Sequence, residues 1–162
     1  MSSEISTVIE RYESGARLLD EAVRALQAPL ADRVPAPGKW TIRQIAAHLA
    51  DSEVVGSHRF RTMAAEPGRL MTSFDQEKWA SGLRYAEQPL DLSAATFVAL
   101  RRHNAAMLRA LPEAAWRNRA HHEERGDLDL LGYVQHMTQH AEAHVGQIRG
   151  IRENLGAGPA LH

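Results

Sequence analysis

Four long stretches of this chain bring apolar residues back with the 3.6-residue period of an α-helix, and nothing in it alternates as a sheet strand would. The first runs from about Ser3 to Leu26, with Ile5, Val8, Ile9, Tyr12, Leu19, Ala22, Val23 and Leu26 on one stripe. Ala28-Pro-Leu and Pro35-Ala-Pro-Gly then interrupt the pattern. The second opens at Thr41, an N-cap candidate, and runs to about Ala65; Ile42, Ile45, Leu49, Ser52, Gly56, Phe60 and Met63 point inward. The third opens at Ser93, again an N-cap candidate, and runs to about Leu111 with Phe97, Leu100, Met107 and Leu108 on its apolar side. The fourth spans about Asp129 to Leu155, where Gly-Ala-Gly-Pro stops it and a fraying tail follows. Each stripe must be buried against another, so the expected fold is all-α: a four-helix bundle, one domain over residues 1–162. The connection from Gly68 to Leu92 makes a long crossover between the second and third helices, with room for a short helix at Asp75–Ala80. Pro112 begins a short turn toward Trp116, and the polar stretch Arg117–Asp127 reads as a loop.

Composition narrows the chemistry. Formal net charge is -1, so no electrostatic footprint for nucleic acid or an anionic membrane stands out. The first residues, Met-Ser-Ser-Glu-Ile, lack the basic and apolar regions of a signal peptide, and no apolar run is long enough to span a bilayer. A cytoplasmic protein is expected. The chain has no cysteine, so any metal must be held by His, Asp or Glu, and a nucleophilic sulfur would have to arrive on a cosubstrate.

Histidine is plentiful, with nine residues, and three recur at a spacing of four: His136, His140 and His144. Residues i and i+4 project from one helix face, so His140 and His144 can share one divalent cation. They accompany Met137, Ala141, Val145, Ile148 and Ile151, which places the pair beside the core. Each step of four also rotates about 40°. His136 is therefore read as a wall residue rather than a ligand. A useful site needs a third ligand, and His48, at the edge of the second stripe, is the best placed. Such a histidine also serves simply as a hydrogen-bonded core residue, so packing and ligation both remain open at this point.

At these residues the chain resembles the DinB-like superfamily, and within it the YfiT-like branch, to which bacillithiol transfer is ascribed. Lys39-Trp-Thr-Ile-Arg-Gln-Ile-Ala-Ala-His-Leu-Ala-Asp-Ser-Glu53 looks like the first metal motif. Arg59-Phe60 falls where the branch carries the pair in reversed order, and Ser73-Phe-Asp-Gln-Glu-Lys-Trp-Ala80 looks like its acidic aromatic segment. His140-Ala-Glu-Ala-His-Val-Gly-Gln-Ile148 matches the second motif. The likeness spans roughly Trp40 to Arg152. It implies helices in up-down-down-up order, one divalent ion (zinc or nickel) held by His48, His140 and His144, and transfer of a low-molecular-weight thiol to a small-molecule electrophile. It also implies a homodimer. Gln139 and Ala143 depart from the branch, which carries an aromatic residue and a histidine there, so the pocket wall differs.

The same triad supports three readings: a thiol transferase, a metal-dependent hydrolase, or a non-catalytic metal-binding dimeric bundle. Other residues have lesser expected roles. Arg59 is a candidate clamp for a substrate carboxylate, and Gln147 a hydrogen-bonding neighbour of the site. Asp51 and Glu53 read as solvated carboxylates, Glu53 being turned about 140° from His48. Trp40, Trp79 and Trp116 read as packing or lid. His121 and His122 fall in the expected loop, with His122 near the pocket mouth, and no role is expected for His58 or His103.

Overall fold

Local capping sets where the helices begin. The computed structural model describes residues 2–156. Ser2 caps α1 (Ser3–Val23), its hydroxyl accepting from the Ile5 amide. A four-residue turn of helix, α2 (Ala28–Ala31), follows. Thr41 caps α3 (Ile42–Ala65) with a full capping box: its hydroxyl accepts from Gln44 N at 3.2 Å, and Gln44 Oε1 accepts from Thr41 N at 2.9 Å. The crossover holds a two-residue strand, β1 (Leu70–Met71), then α4 (Gln76–Gly82), capped by Asp75. After it come α5 (Leu90–Ala110), a 3-10 turn at Glu113–Arg117, and α6 (Leu130–Gly156).

α1 and α3 each pack against α5 and α6, so the two pairs sit on opposite diagonals of a four-helix bundle. The side-chain contacts give the directions. Arg11 meets Glu142 and Arg152 meets the Glu21–Ala22 carbonyls, so α1 and α6 run parallel. His48 meets His140 while Arg59 meets Tyr133, so α3 opposes α6. Glu53 meets Arg101 and Ser57 meets Asn104, so α3 and α5 run together. The order is up-down-down-up.

Two regions differ from the sequence reading. The third long helix starts at Leu90, with Pro89 in the N-cap position; the Pro89 carbonyl accepts from Ser93 N at 3.0 Å, and Ser93 is buried inside the helix. The fixed φ of proline presets that entry, while Asp91 supplies the negative charge in the first turn. The stretch 117–127 is not all loop: β2 (Arg119–His122) and β3 (Gly126–Asp129) form a hairpin, and β1 adds parallel to β2. Along β2, Ala120 and His122 are buried while Arg119 and His121 face out. That alternation has period two, but with alanine as its single apolar member it carries little hydrophobic signal. The expected stop and fraying tail beyond Gly156 lie outside the described residues.

The core falls into two large apolar clusters stacked along the bundle axis and a small third one, Ala47, Ala80 and Tyr85, under α4. One large cluster gathers Ile9, Tyr12, Phe60, Met63, Trp116 and Tyr133; the other gathers Leu19, Ile45, Leu49, Phe97, Val145 and Ile148. Along α3 and α5 the residues between the clusters are polar: Ser52, Glu53 and Ser57 on one helix, Arg101 and Asn104 on the other. Two polar assemblies occupy this middle layer, and one is the candidate site.

Candidate metal centre

His48 lies in the second turn of α3, held by the Thr41 cap and the buried side chains of Ile45 and Leu49. His140 and His144 lie one turn apart on α6, between buried Met137, Ala141 and Val145. Because α3 and α6 run antiparallel, the three rings converge. Their centroids are 5.1 Å (48–140), 4.8 Å (48–144) and 4.6 Å (140–144) apart, and one nitrogen from each lies within 4.8 Å of the others. Nε2 of His48 and Nε2 of His140 are 3.1 Å apart.

The surroundings hold these imidazoles neutral. Burial, then the proximity of His144, pushes His48 down to about 4. Burial, reinforced by the other histidines and Arg101, pushes His140 down to about 3. Burial lowers His144 as well, against the pull of Gln147. Neutral imidazoles offer lone pairs, which is the state a cation needs.

The donor set fits a divalent ion. Gln147 Oε1 lies 3.0 Å from His144 Nδ1; accepting its proton leaves the Nε2 lone pair free. Nitrogens bound tetrahedrally at ordinary zinc–imidazole lengths sit about 3.3 Å apart, so the 3.1 Å approach of His48 and His140 needs almost no adjustment. The Nδ1 atoms of His48 and His140 are buried without a protein partner, and an ion on the Nε2 pair leaves them so. Among the described residues no other group of three histidine or acidic side chains has such geometry.

His48 and His140 open onto a cleft of about 500 Å³. Its floor follows α3 and α6 through Ser52, Arg59, Tyr133 and His136; the strap before α4 and the β2–β3 hairpin wall it. His144 faces a second cleft of about 590 Å³ with Trp40, Lys39 and Gln147. Gln76 and Glu77, at the start of α4, border both. Trp40 packs 5.0 Å from the His48 ring, and Phe74 stacks on Trp79 at 4.4 Å to cover the outer side.

The secondary expectations divide. Gln147 does bond a site histidine, and Arg59 lines the cleft, buried. His136 forms a wall, pushed down to about 4 by burial and then by Arg125, His122 and Arg59. His122 lines the cleft as anticipated, but from a strand and buried. His121 pairs outside with Asp127, and His58 and His103 are exposed. Asp51 accepts from the Tyr85 hydroxyl at 2.7 Å, and Trp116 is core. Glu53 overturns its reading. It points away from His48, yet into the bundle, with no exposed surface, and it accepts from Arg101 Nε at 2.8 Å, from Asn104 and from the Tyr12 hydroxyl. The spacing Leu49, Glu53, Gly56, Phe60 is that of an inward stripe, a position the sequence reading gave to Ser52 because Glu53 is charged. Arg101 and Asn104, missed altogether, fall on the matching stripe of α5 between Phe97 and Leu108.

With this geometry in place, comparison with known proteins fixes the family. A family model for the DinB superfamily matches residues 11–148. The chain belongs to the DinB superfamily. Within it, a Bacillus mycoides (strain KBAB4) protein is 26% identical over 147 residues, covering 91% of this chain and 84% of that relative. A Bacillus cereus (strain 03BB102) protein is 26% identical over 151 residues, covering 93% of this chain and 87% of its own length. Both are named as candidate metal-dependent hydrolases. YfiT from Bacillus subtilis, a solved structure described as a candidate metal-dependent hydrolase with an unusual four-helix bundle topology, superposes with a TM-score of 0.88 at 23% identity. The match covers 96% of this chain and 90% of YfiT and establishes the DinB-type fold. Among the described residues, no helix is long and apolar enough to cross a membrane.

Proposed function

We propose that this protein is a divalent-metal-dependent hydrolase of a small organic substrate, with His48, His140 and His144 holding the ion. The observation that carries the reading is the convergence of three neutral imidazoles from two helices, His48 buried and His140 and His144 half-buried, with His48 and His140 lining an open cleft. A divalent ion among three neutral ligands keeps its full charge and open positions, and supplies Lewis-acid polarisation and easier deprotonation of a small nucleophile. The chain's own groups do the rest. Gln147 orients His144, Trp40 packs against His48, and Ser52 Oγ stands 3.4 Å from His48 Nε2. Phe74, packed against Trp79, adds an aromatic wall to the cleft. The names borne by the Bacillus relatives agree with this reading.

One observation favours a second reading, transfer of a small thiol to an electrophile. Two clefts reach the triad from different sides, so two organic reactants have separate approaches. The lack of cysteine means that such a thiol would be a cosubstrate. Elemental analysis of purified protein beside His140→Ala tests the metal: about one ion per chain is expected in the wild type and none retained in the variant. Metal-stripped and reloaded protein is then assayed on nitrophenyl esters and on a chromogenic electrophile, each with and without added thiol. Metal-dependent ester turnover without thiol supports hydrolysis. Turnover seen only with thiol would replace it with transfer.

A further inference from the structure

The cleft that leads to the triad has a second functional end. Arg59 lies eleven residues after His48 on α3, three turns on, so the two share a helix face about 16 Å apart along the axis. On α6, Tyr133 and His136 precede His140 by two turns and one, so both helices carry the floor of the cleft from the triad to Arg59.

Arg59 is only 9% exposed, yet among the described residues no carboxylate pairs with it. Its Nη1 donates to the Tyr133 hydroxyl at 3.1 Å, and its Nη2 donates to the Thr72 carbonyl. Both acceptors are neutral. A guanidinium has five N–H bonds, so most of its donor capacity is unspent. Elsewhere in this bundle the buried Arg101 has a carboxylate partner and two carbonyls. Burying a cation without a counter-charge is costly, and a built cavity beside it is where a counter-charge belongs.

The neighbours point the same way. His122 is 3% exposed, and its Nδ1 accepts from the Glu124 amide at 3.2 Å, which leaves Nε2–H as a donor. Arg125, at the rim, has no carboxylate partner among the described residues. The cleft's acidic groups are elsewhere engaged or exposed: Asp75 caps α4 and pairs with Lys78, while Glu77 and Glu124 are exposed.

We propose that the Arg59 end of the cleft binds a carboxylate of the substrate, so that the natural substrate is a small carboxylated molecule whose anionic group and reacting bond lie at opposite ends. The Arg59 fork, with the His122 imidazole beside it, recognises the anion while the triad works at the far end. The assignment of the reacting end rests on the proposed metal-dependent reading; the anion subsite stands on Arg59 itself.

Two measurements separate these. Hexanoate and the neutral hexanamide are titrated into the protein as purified, following the backbone amide resonance of His122, which lines the same cleft, and the titration is repeated with Arg59→Gln, Arg59→Lys and His140→Ala. Expected is a preference for hexanoate of about tenfold or more, lost in Arg59→Gln, partly kept in Arg59→Lys and kept in His140→Ala. The last variant excludes coordination of hexanoate by a triad-bound ion. In parallel, the reloaded protein is assayed on the nitrophenyl monoester of sebacic acid, long enough to reach from the Arg59 side chain toward the triad, and on its methyl-capped neutral form. KM for the free acid is expected to rise about tenfold in Arg59→Gln with kcat little changed, and the neutral ester is expected to be unaffected. Absence of ester turnover with hexanoate binding intact would remove the hydrolase reading alone. Equal binding of hexanoate and hexanamide, or wild-type hexanoate binding by Arg59→Gln, overturns the subsite.

Discussion

The middle of this bundle holds two buried polar assemblies built on opposite plans. The Glu53–Arg101 assembly is closed. Arg101 donates to Glu53, to the Tyr12 carbonyl at 2.8 Å and to the Met137 carbonyl at 2.6 Å, and Asn104 bridges Glu53, Tyr12 and Ser57. Charge, counter-charge and acceptors all come from the chain, and the assembly ties α1, α3, α5 and α6 together. Burial pushes the Glu53 carboxyl up and the Arg101 guanidinium down, and their contact pulls both back. The histidine assembly, one turn of α3 away, is open. Its rings are neutral, two of their nitrogens have no protein partner, and it borders two open clefts. A closed polar cluster specifies how helices register; an open one specifies what is to be bound.

The largest expected effect breaks the closed side. Arg101→Met strands Glu53 and two carbonyls, and a loss of about 3–5 kcal/mol is expected in urea denaturation, with or without metal. Glu53→Gln combined with Arg101→Met should cost less than Arg101→Met alone, because no charge is then left unpaired. A loss under about 1 kcal/mol for the single variant would show that the assembly does not organise the bundle.

The open side should respond only through its ligand. A divalent ion at a hundred times its dissociation constant adds about 2.7 kcal/mol. His48→Ala, His140→Ala and His144→Ala should each lose that increment, read as the zinc- or nickel-induced rise in melting temperature. Metal-free protein should also be acid-sensitive. His48 and His140 hold folded-state values of about 4 and about 3, below their ordinary 6.5, so the unfolded chain binds more protons between those values. Their contribution is complete above pH 6.5 and drains away as pH falls toward 4. The slope of denaturation midpoint against pH over that window should flatten in His140→Ala.

The two assemblies were also unequally legible in the sequence. The convergence of the open one could be anticipated, because a histidine pair at i,i+4 shares one helix face and His48 could be matched to it by position, although packing and ligation both fit the spacing. The four helices were equally plain, since Pro and Gly breaks bracket each stripe. The closed assembly was hidden by its own chemistry. Glu53, Arg101 and Asn104 occupy stripe positions, but a charged residue is normally assigned to water. What overrules that is a partner on another helix, 48 residues away for Glu53 and Arg101, and spacing within one helix carries no trace of such a pairing. The β2–β3 hairpin was missed for a related reason: Ala120 and His122 alternate inward without the hydrophobicity that makes alternation visible.

Two glycines sharpen the contrast at moderate cost. A Cβ on Gly15 would lie 2.9 Å from Arg101 Nη1, a group fixed by its bonds. Gly15→Ala should therefore destabilise by about 1–3 kcal/mol. A Cβ on Gly56 would lie 2.8 Å from the terminal methyl of Met137, which borders the cleft and can swing aside. Gly56→Ala should fall near zero, the clash offset by about 0.5–1 kcal/mol of helix propensity. Equal losses at both positions in chemical denaturation would mean that the open side is as rigid as the closed one.

The smallest effect separates the assemblies along a single helix. The Thr41 cap anchors the start of α3; His48 sits in the second turn and Glu53 in the fourth. Thr41→Ala removes the bond from Gln44 N to the Thr41 hydroxyl, while the backbone N–H of residue 41 still donates to Gln44 Oε1, and should cost about 1 kcal/mol. Fraying from a lost cap decays within a turn or two, so the loosened residues include His48 but not Glu53, which Arg101 and Asn104 pin from α5. Metal affinity, measured by chelator competition, should weaken several-fold, while the additional cost of Arg101→Met should be the same in the Thr41→Ala background as in the wild type. Coupling between Thr41 and Arg101 would instead show that the cap supports the whole polar layer, and the division drawn between an open and a closed half would not hold.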